Sequence, residues 1–92
     1  MQFEWNEKKR CANLAKHGID FLEAAEMFQG PMLVAADNRE DYGEDRLSGV
    51  GLSKGRVLVV VFTEPQQNTI RVISLRKATK NEKAQFEERI KD

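Results

Sequence analysis

The sequence predicts an α+β fold in which two N-terminal helices and one C-terminal helix pack on a small antiparallel sheet. The sheet is expected to hold three to four strands plus a short N-terminal strand. Two observations predict this class: helical segments flank a run of strand-like segments, and Arg56 to Thr63 is apolar at almost every position. Strand runs separated from helix runs are typical of α+β folds, and an apolar strand is typical of the centre of a sheet.

Composition narrows the class of protein. The 92 residues include 15 Lys and Arg and 15 Asp and Glu, and 40% of the chain is apolar. These values predict one globular domain over residues 1–92, and the zero net charge excludes a protein that coats nucleic acid by bulk charge alone. The longest apolar run, Val57 to Phe62, is too short for a membrane span, and the N-terminus has no apolar signal core. We therefore expect a cytoplasmic protein.

The N-terminal segments predict a strand followed by a helix. Polar and apolar residues alternate over Gln2–Trp5, which predicts a strand. Asn6 is a suitable N-cap for a helix over Glu7–His17, and Gly18 can end that helix in the left-handed conformation. The apolar stripe predicted for this helix consists of Cys11, Ala12, Leu14 and Ala15.

A second helix is expected to begin at Asp20, because Glu23 three residues later completes a capping-box pattern. The segment is amphipathic, and Gly30 and Pro31 mark its end. The residues predicted to face the core are Phe21, Ala24, Ala25 and Phe28.

The remaining segments predict a strand meander and a last helix. Lys54 and Gly55 form a two-residue turn between two strands, and Thr79 with Glu82 forms a capping box for the final helix. Strands are expected over residues 32–36, 46–53, 56–63 and 70–75. Alternation in the last strand groups Ile70, Val72 and Ser74 on one face and Arg71, Ile73 and Leu75 on the other. The buried side of the last helix is predicted to hold Ala84, Phe86 and Ile90.

Charge is unevenly distributed along the chain. Two segments are strongly basic, and if the first helix lies against the last strand they converge into a positive groove that can hold phosphates. The alternative is that each basic segment is simply a solvated face. The bases of the first helix are Lys8, Lys9, Arg10 and Lys16, and those of the later segment are Arg71, Arg76, Lys77 and Lys80.

Residues 37–45 form a polar, acidic loop or hairpin tip. A loop of carboxylates can bind Mg²⁺, but these acids are adjacent in a loop and not spaced on rigid elements. We therefore expect no metal site, and a solvated tip is the simpler interpretation. The acids are Asp37, Glu40, Asp41, Glu44 and Asp45, with Arg39 as the one base.

Two single residues allow more than one interpretation. His17 ends the first helix, where the helix C-terminus stabilises the imidazolium form without any function, although histidine is also the side chain best suited to proton transfer near neutral pH. Cys11 cannot form an internal disulfide or supply the thiolates of a structural zinc site, and we interpret it as a small buried apolar residue.

Four motifs extend along nearly the whole chain. They are WNEKKRCANLAKHGIDFLEAAEMF, Glu44-Asp45-Arg46 before Gly49, the strand VLVVVFT and IRVISLRKATKNEKAQF. Together these motifs resemble the BrnT-type toxins of type II toxin–antitoxin systems. The resemblance implies a RelE-like ribonuclease fold, a translation-arresting ribonuclease, and a partner antitoxin with a ribbon-helix-helix DNA-binding part that neutralises the toxin and represses the shared operon. DNA would then be contacted only through the antitoxin.

The residue-by-residue match includes three departures from the family pattern. Asn6 stands where the family usually has aspartate, Lys83 where arginine is frequent, and Phe86 where tyrosine is frequent. A phenylalanine at position 86 keeps the capacity to stack on a base but lacks the hydroxyl. The matching positions are Trp5, Asn13, Lys16, His17, Gly18, Phe21, Glu44, Arg46, Arg71, Ile73, Ser74, Arg76, Ala78 and Glu82.

A metal-independent ribonuclease needs a base for the 2′-hydroxyl proton, cations for the phosphorane charge and an acid for the 5′-oxygen. The sequence offers His17 or Glu44 as base or acid. Arg46 either binds phosphate or forms an ion pair with Glu44. The other candidates for phosphate or RNA contact are Lys16, Arg71, Arg76, Lys77 and Lys9. No cofactor is expected.

Two other functions stay open from the sequence. A non-enzymatic binding module, or a weakened toxin, would use the basic groove to hold an acidic antitoxin peptide. A metal nuclease would use Asp37, Glu40 or Asp41, and EDTA would abolish its activity.

Overall fold

A computed structural model describes residues 1–39 and 43–90 of the chain and confirms the α+β class. Five strands form one sheet in the order β1-β5-β4-β3-β2. The strands are β1 (Gln2–Trp5), β2 (Leu33–Ala36), β3 (Leu47–Ser53), β4 (Arg56–Gln66) and β5 (Thr69–Lys77). The helices are α1 (Glu7–His17), α2 (Ala24–Met27), which continues from a 3₁₀ turn over Phe21–Glu23, and α3 (Lys80–Arg89).

The sheet is mixed and not purely antiparallel. Strands β2 to β5 form the predicted antiparallel meander, with β4 in a central position as its apolar sequence indicates. The N-terminal strand β1 pairs in parallel with β5, from Gln2 beside Thr69 to Trp5 beside Val72. This pairing joins the first and last strands of the chain, and alternation within a short strand cannot reveal its direction.

One face of the sheet, called the core face here, carries the hydrophobic core. Leu58, Val60 and Phe62 project from β4 on this face and are at most 4% exposed. Phe21 and Met27, from the segment after α1, are fully buried against them. The 3₁₀ turn and α2 therefore cover the core face, as predicted for the second helix, and Phe3 and Trp5 of β1 pack at its margin.

A β-bulge in β5 interrupts the predicted alternation of its side chains between the two faces of the sheet. Val61 pairs with Ser74 whereas its neighbour Phe62 pairs with Val72, so Ile73 is an extra residue in the ladder. Val72 and Leu75 consequently lie on the same core face, although strict alternation places them on opposite faces.

The predicted apolar stripe of α1 is wrong. The residue of α1 that is buried is Asn13, and Leu14 is 41% exposed. Cys11 is exposed as well, which contradicts its interpretation as a buried apolar residue. The helix is anchored by hydrogen bonds: Asn13 Nδ2 donates to Leu75 O at 2.8 Å and to Ile19 O at 3.1 Å, and Leu75 N donates to Asn13 Oδ1 at 3.1 Å.

The helix caps agree with those predicted from the sequence, with one exception. Asn6 accepts a hydrogen bond from Lys9 N, and Gly18 adopts φ 70° at the end of α1. Asp20 caps the 3₁₀ turn by accepting from Leu22 N, but the side chain of Glu23 does not close a capping box there. The Glu23 carboxylate instead accepts a hydrogen bond from Ser53 Oγ and forms an ion pair with Arg56, both at the tip of the β3–β4 hairpin.

The last helix lies on the opposite face of the sheet. Its capping box at Thr79 and Glu82 is present as predicted, and Phe86 is 2% exposed while Ala84 is exposed. A groove of about 980 Å³ separates α3 from β2 and β3. None of the helices in the described residues is long and apolar enough to span a bilayer.

Candidate active site

The face of the sheet opposite the core face carries two arginines from β5. Val72 and Leu75 belong to the core, so their neighbours Arg71 and Arg76 project from the other side of the strand. Without the bulge at Ile73, the odd sequence separation of the two arginines would send them to opposite faces. The irregularity in β5 therefore places both cations on one surface.

A third arginine, Arg46, reaches this surface from the position immediately before β3. Leu47 packs against the core, so the preceding Arg46 projects from the opposite side, and its carbonyl accepts the backbone N–H of Asp37 at 2.8 Å. Arg39 lies close enough to Arg76 for their like charges to oppose each other. We call the surface that carries Arg46, Arg71 and Arg76 the arginine face.

Each of these arginines has a carboxylate partner. The pair between Arg71 and Glu4 joins segments that are distant in sequence, whereas the other partners lie within six residues of each other. The paired atoms are Arg71 Nε and Glu4 Oε2 at 2.7 Å, Arg76 Nη1 and Glu82 Oε1 at 2.8 Å, Arg76 Nη2 and Glu82 Oε2 at 2.9 Å, Arg39 Nε and Asp37 Oδ1 at 2.8 Å, and Arg46 Nη2 and Glu44 Oε2 at 3.6 Å.

Two of the carboxylates are too acidic to accept a proton readily. The hydrogen bond from Arg39 lowers the pKa of Asp37, which is 7% exposed. The hydrogen bonds from Arg76 lower the pKa of Glu82 to about 2, and Glu82 in turn raises the pKa of Arg76. Asp37 and Glu82 are therefore charged at neutral pH and are suited to hold arginines in place, not to act as general bases.

The predicted residues of α1 have a different setting. Helix α1 does contact β5, as the hypothesis of converging basic segments requires, but the contact is made by Asn13 at the outer edge of the strand. Lys9 and Lys16 are exposed and His17 is half-buried at the end of the helix. Within residues 1–39 and 43–90, Arg71 and Arg76 pair with Glu4 and Glu82, and neither carboxylate forms an ion pair with Lys9, Lys16 or His17.

Two other residues that were predicted to contact RNA, Lys77 and Phe86, lie on opposite sides of the sheet. Lys77 is exposed and follows Arg76, so the pleat directs it to the core face. Phe86 is buried beneath α3 and cannot stack on a base, which corrects the role inferred from its ring.

The acidic loop holds no metal-binding cluster in the part of the chain that the structure describes. Both carboxylate oxygens of Asp37 accept hydrogen bonds from Arg39, at 2.8 and 2.9 Å. Glu40 and Asp41, which the metal-nuclease hypothesis also used, lie outside the described residues.

The ion pair of Arg46 with Glu44 was one of the two alternatives that the sequence offered, but Glu4 and Glu82 were not identified as partners of the arginine face. Glu4 is 67 residues from Arg71, and only the parallel pairing of β1 with β5 brings the two together. Glu82 was recognised as half of a capping box, a local pattern that gives no indication of its second partner. The sequence did contain an indication that Asn13 has a special role, because asparagine is a poor helix former and Asn13 stands in the middle of α1.

Comparisons with known proteins agree with this architecture. The family model described as "Ribonuclease toxin, BrnT, of type II toxin-antitoxin system" matches residues 5–82. The structure is similar to the 1.1 Å crystal structure of the Brucella abortus ribonuclease toxin, BrnT, with a TM-score of 0.67 and 32% sequence identity. The match covers 87% of this chain and 99% of the Brucella chain. No curated protein matches the chain in sequence.

The family match extends over most of the sequence and includes the strands that build the arginine face. The chain belongs to the BrnT family of ribonuclease toxins of type II toxin–antitoxin systems.

Proposed function

We propose that this toxin binds and cleaves RNA on the arginine face, without a metal ion. The observation that supports this most strongly is that Arg46, Arg71 and Arg76 lie on the same side of the sheet, in a protein with no net charge. Guanidinium groups bind phosphate oxygens through pairs of parallel hydrogen bonds and keep their charge at any physiological pH. Each guanidinium is paired with a carboxylate, so binding of phosphate would depend on directed N–H donors that the pairs leave unused, as on Arg76, and not on a net positive charge.

The proposed reaction uses the 2′-hydroxyl of the RNA as nucleophile. A base removes the hydroxyl proton, the new O2′–P bond forms as the P–O5′ bond breaks, and an acid protonates the departing 5′-oxygen. The products are a 2′,3′-cyclic phosphate and a free 5′-hydroxyl. Arg71 and Arg76 would stabilise the charge that develops on the phosphorane oxygens, with Arg46 as a further contact.

Glu44 is our first candidate for the base. It forms the 3.6 Å ion pair with Arg46 beside the arginine face, and its side chain is 43% exposed, so water and substrate can reach it. His17 is the second candidate, with Lys16 beside it as a cation, because imidazole exchanges protons readily near neutral pH. For Lys9 and Lys77, we propose contacts to RNA away from the scissile phosphate.

Cleavage assays with purified protein test the chemistry. Wild-type protein in EDTA should cleave RNA to products ending in a cyclic phosphate, and an oligonucleotide of the same sequence with 2′-deoxyribose should remain intact. Loss of cleavage in EDTA would favour a metal nuclease instead, and cleavage of the deoxy substrate would reject the 2′-hydroxyl as nucleophile.

A matched pair of variants separates the two candidate bases. Glu44→Gln and His17→Gln each remove a proton acceptor while keeping side-chain size and polarity. Replacement of the residue that acts as the base should lower kcat by about 10²–10⁴-fold, and the other variant should stay within a few-fold of wild type. Wild-type rates in both folded variants would reject both assignments.

We also propose that the partner is an antitoxin with a ribbon-helix-helix DNA-binding part, and that DNA is contacted only through it. Type II systems pair a protein toxin with a protein antitoxin, and the ribbon-helix-helix type is supported by the resemblance of the sequence to its family. Expression of the toxin alone in a bacterial cytoplasm should arrest growth and translation, and the neighbouring gene product should relieve the arrest. A neighbouring protein that neither binds the toxin nor relieves the arrest would contradict this part of the proposal.

A further inference from the structure

Glu82 makes more contacts than the cap of a helix requires. Its Oε1 accepts a hydrogen bond from the backbone N–H of Thr79 at 2.8 Å, which is its part in the capping box of α3. The same oxygen accepts from Arg76 Nη1 at 2.8 Å, and Oε2 accepts from Arg76 Nη2 at 2.9 Å. One carboxylate thus joins the first turn of α3 to a cation of the arginine face.

This contact leaves one edge of the Arg76 guanidinium unused. Nη1 donates to Glu82 and also to the carbonyl of Lys77, at 3.2 Å. Arginine has five N–H donors, and within the described residues Arg76 Nε and the second N–H of Nη2 donate no hydrogen bond. These two donors lie side by side in the guanidinium plane, and such a pair matches two oxygens of one phosphate.

We propose that Glu82 is a positioning residue of the ribonuclease site, an inference that rests on the proposed function. It holds the end of the Arg76 side chain and presents the unused edge to the scissile phosphate. A free arginine side chain samples many rotamers, and ordering it before substrate arrives removes that entropic cost from the reaction. The attachment of Glu82 to the start of α3 gives the arrangement a rigid support.

This role predicts a particular kinetic signature. The negative charge of Glu82 opposes phosphate binding, so its removal should not weaken RNA binding. The orientation of Arg76 matters most when charge develops on the phosphorane, so its loss should appear in the chemical step. We therefore expect Glu82→Gln to lower kcat by roughly tenfold, with KM unchanged or lower.

The matched control is Thr79→Ala. Glutamine at position 82 can still accept from Thr79 N, since capping boxes contain either Glu or Gln, so E82Q keeps the cap and loses the charged bidentate contact. T79A does the reverse, because it removes the hydroxyl that accepts from Glu82 N and leaves the contact with Arg76. T79A should keep kcat within about twofold of wild type at a temperature where both variants are folded.

A double-mutant cycle shows whether Glu82 acts through Arg76. In an Arg76→Ala background, adding E82Q should change kcat by less than twofold. A readout independent of cleavage is the ¹⁵N spectrum of the Arg76 guanidinium. The two Nη groups should give separate signals in wild type, and faster rotation about the Nε–Cζ bond should merge them in E82Q.

The results that overturn the inference differ from those that overturn the proposed function. A wild-type kcat in E82Q, an equal loss in T79A, or a further tenfold loss when E82Q is added to R76A would each reject the positioning role while leaving the ribonuclease site standing. Unimpaired cleavage by folded R76A, or no cleavage by wild type, would remove the site assignment and the inference with it.

Discussion

At the scale of single residues, Asn13 attaches α1 to the sheet in the way that an apolar side chain attaches most helices. Its amide donates to two carbonyls and accepts one N–H, at the edge of β5 beyond Val72, where β1 stops. Because Asn13 is 8% exposed, water cannot replace these bonds. A search for apolar positions cannot find such an anchor, which is why the predicted stripe of α1 was wrong.

Asn13→Ala should destabilise the protein by about 2–4 kcal/mol. The change leaves buried backbone groups of Leu75 and Ile19 without partners, and each unsatisfied buried group costs about 1–3 kcal/mol. The control is Leu14→Ala at the adjacent exposed position, which should cost about 1 kcal/mol or less. Urea unfolding measures both, and a smaller loss for N13A than for L14A would contradict the anchor role.

Glu82 should also leave a signature in acid stability. Its pKa falls from a usual value near 4.5 to about 2 in the folded state, so its contribution to stability is complete above about pH 5 and is lost as the pH falls toward 2. Glu82→Gln cannot titrate, so its stability should fall less steeply over this range. Unfolding free energies at several pH values test this, and parallel curves for the two proteins would contradict the lowered pKa.

At the scale of elements, the sequence predicted most of the local structure and none of the long-range irregularity. The caps at Asn6 and Thr79 were found because side chain and backbone lie within a few residues of each other. The Lys54-Gly55 turn was found in the same way, and both residues have the positive φ that it requires. The bulge at Ile73 depends on the register between β4 and β5, which no local pattern records.

The glycines of β3 test how closely the elements pack. A Cβ atom on Gly51 would lie 2.7 Å from Met32 Cγ, so Gly51→Ala should overpack this region and destabilise the protein by about 1–3 kcal/mol. Gly30→Ala is the matched control, because nothing lies within 4 Å of its Cβ position. Thermal unfolding compares them. Equal midpoints would show that Met32 moves aside without cost.

At the scale of the whole molecule, the sheet separates two surfaces with different tasks. The core face is covered by the 3₁₀ turn and α2, and the other face carries α3 and the arginines. The sequence predicted a single groove made by two basic segments, because side-chain direction cannot be read from charge runs alone. Three arginines on one face repel each other. Carboxylates from β1, α3 and the acidic segment pair with them and offset this repulsion.

Single-turnover cleavage of RNA in EDTA by Arg76→Ala and Arg56→Ala tests the location of the active site most directly. Both changes delete an arginine with a glutamate partner, but Arg56 pairs with Glu23 at the hairpin tip beside the N-terminal helical segments. R76A should lose about 10²–10³-fold in rate and R56A should stay within a few-fold of wild type, with both proteins folded by circular dichroism. Equal rates in the two variants would contradict cleavage on the arginine face.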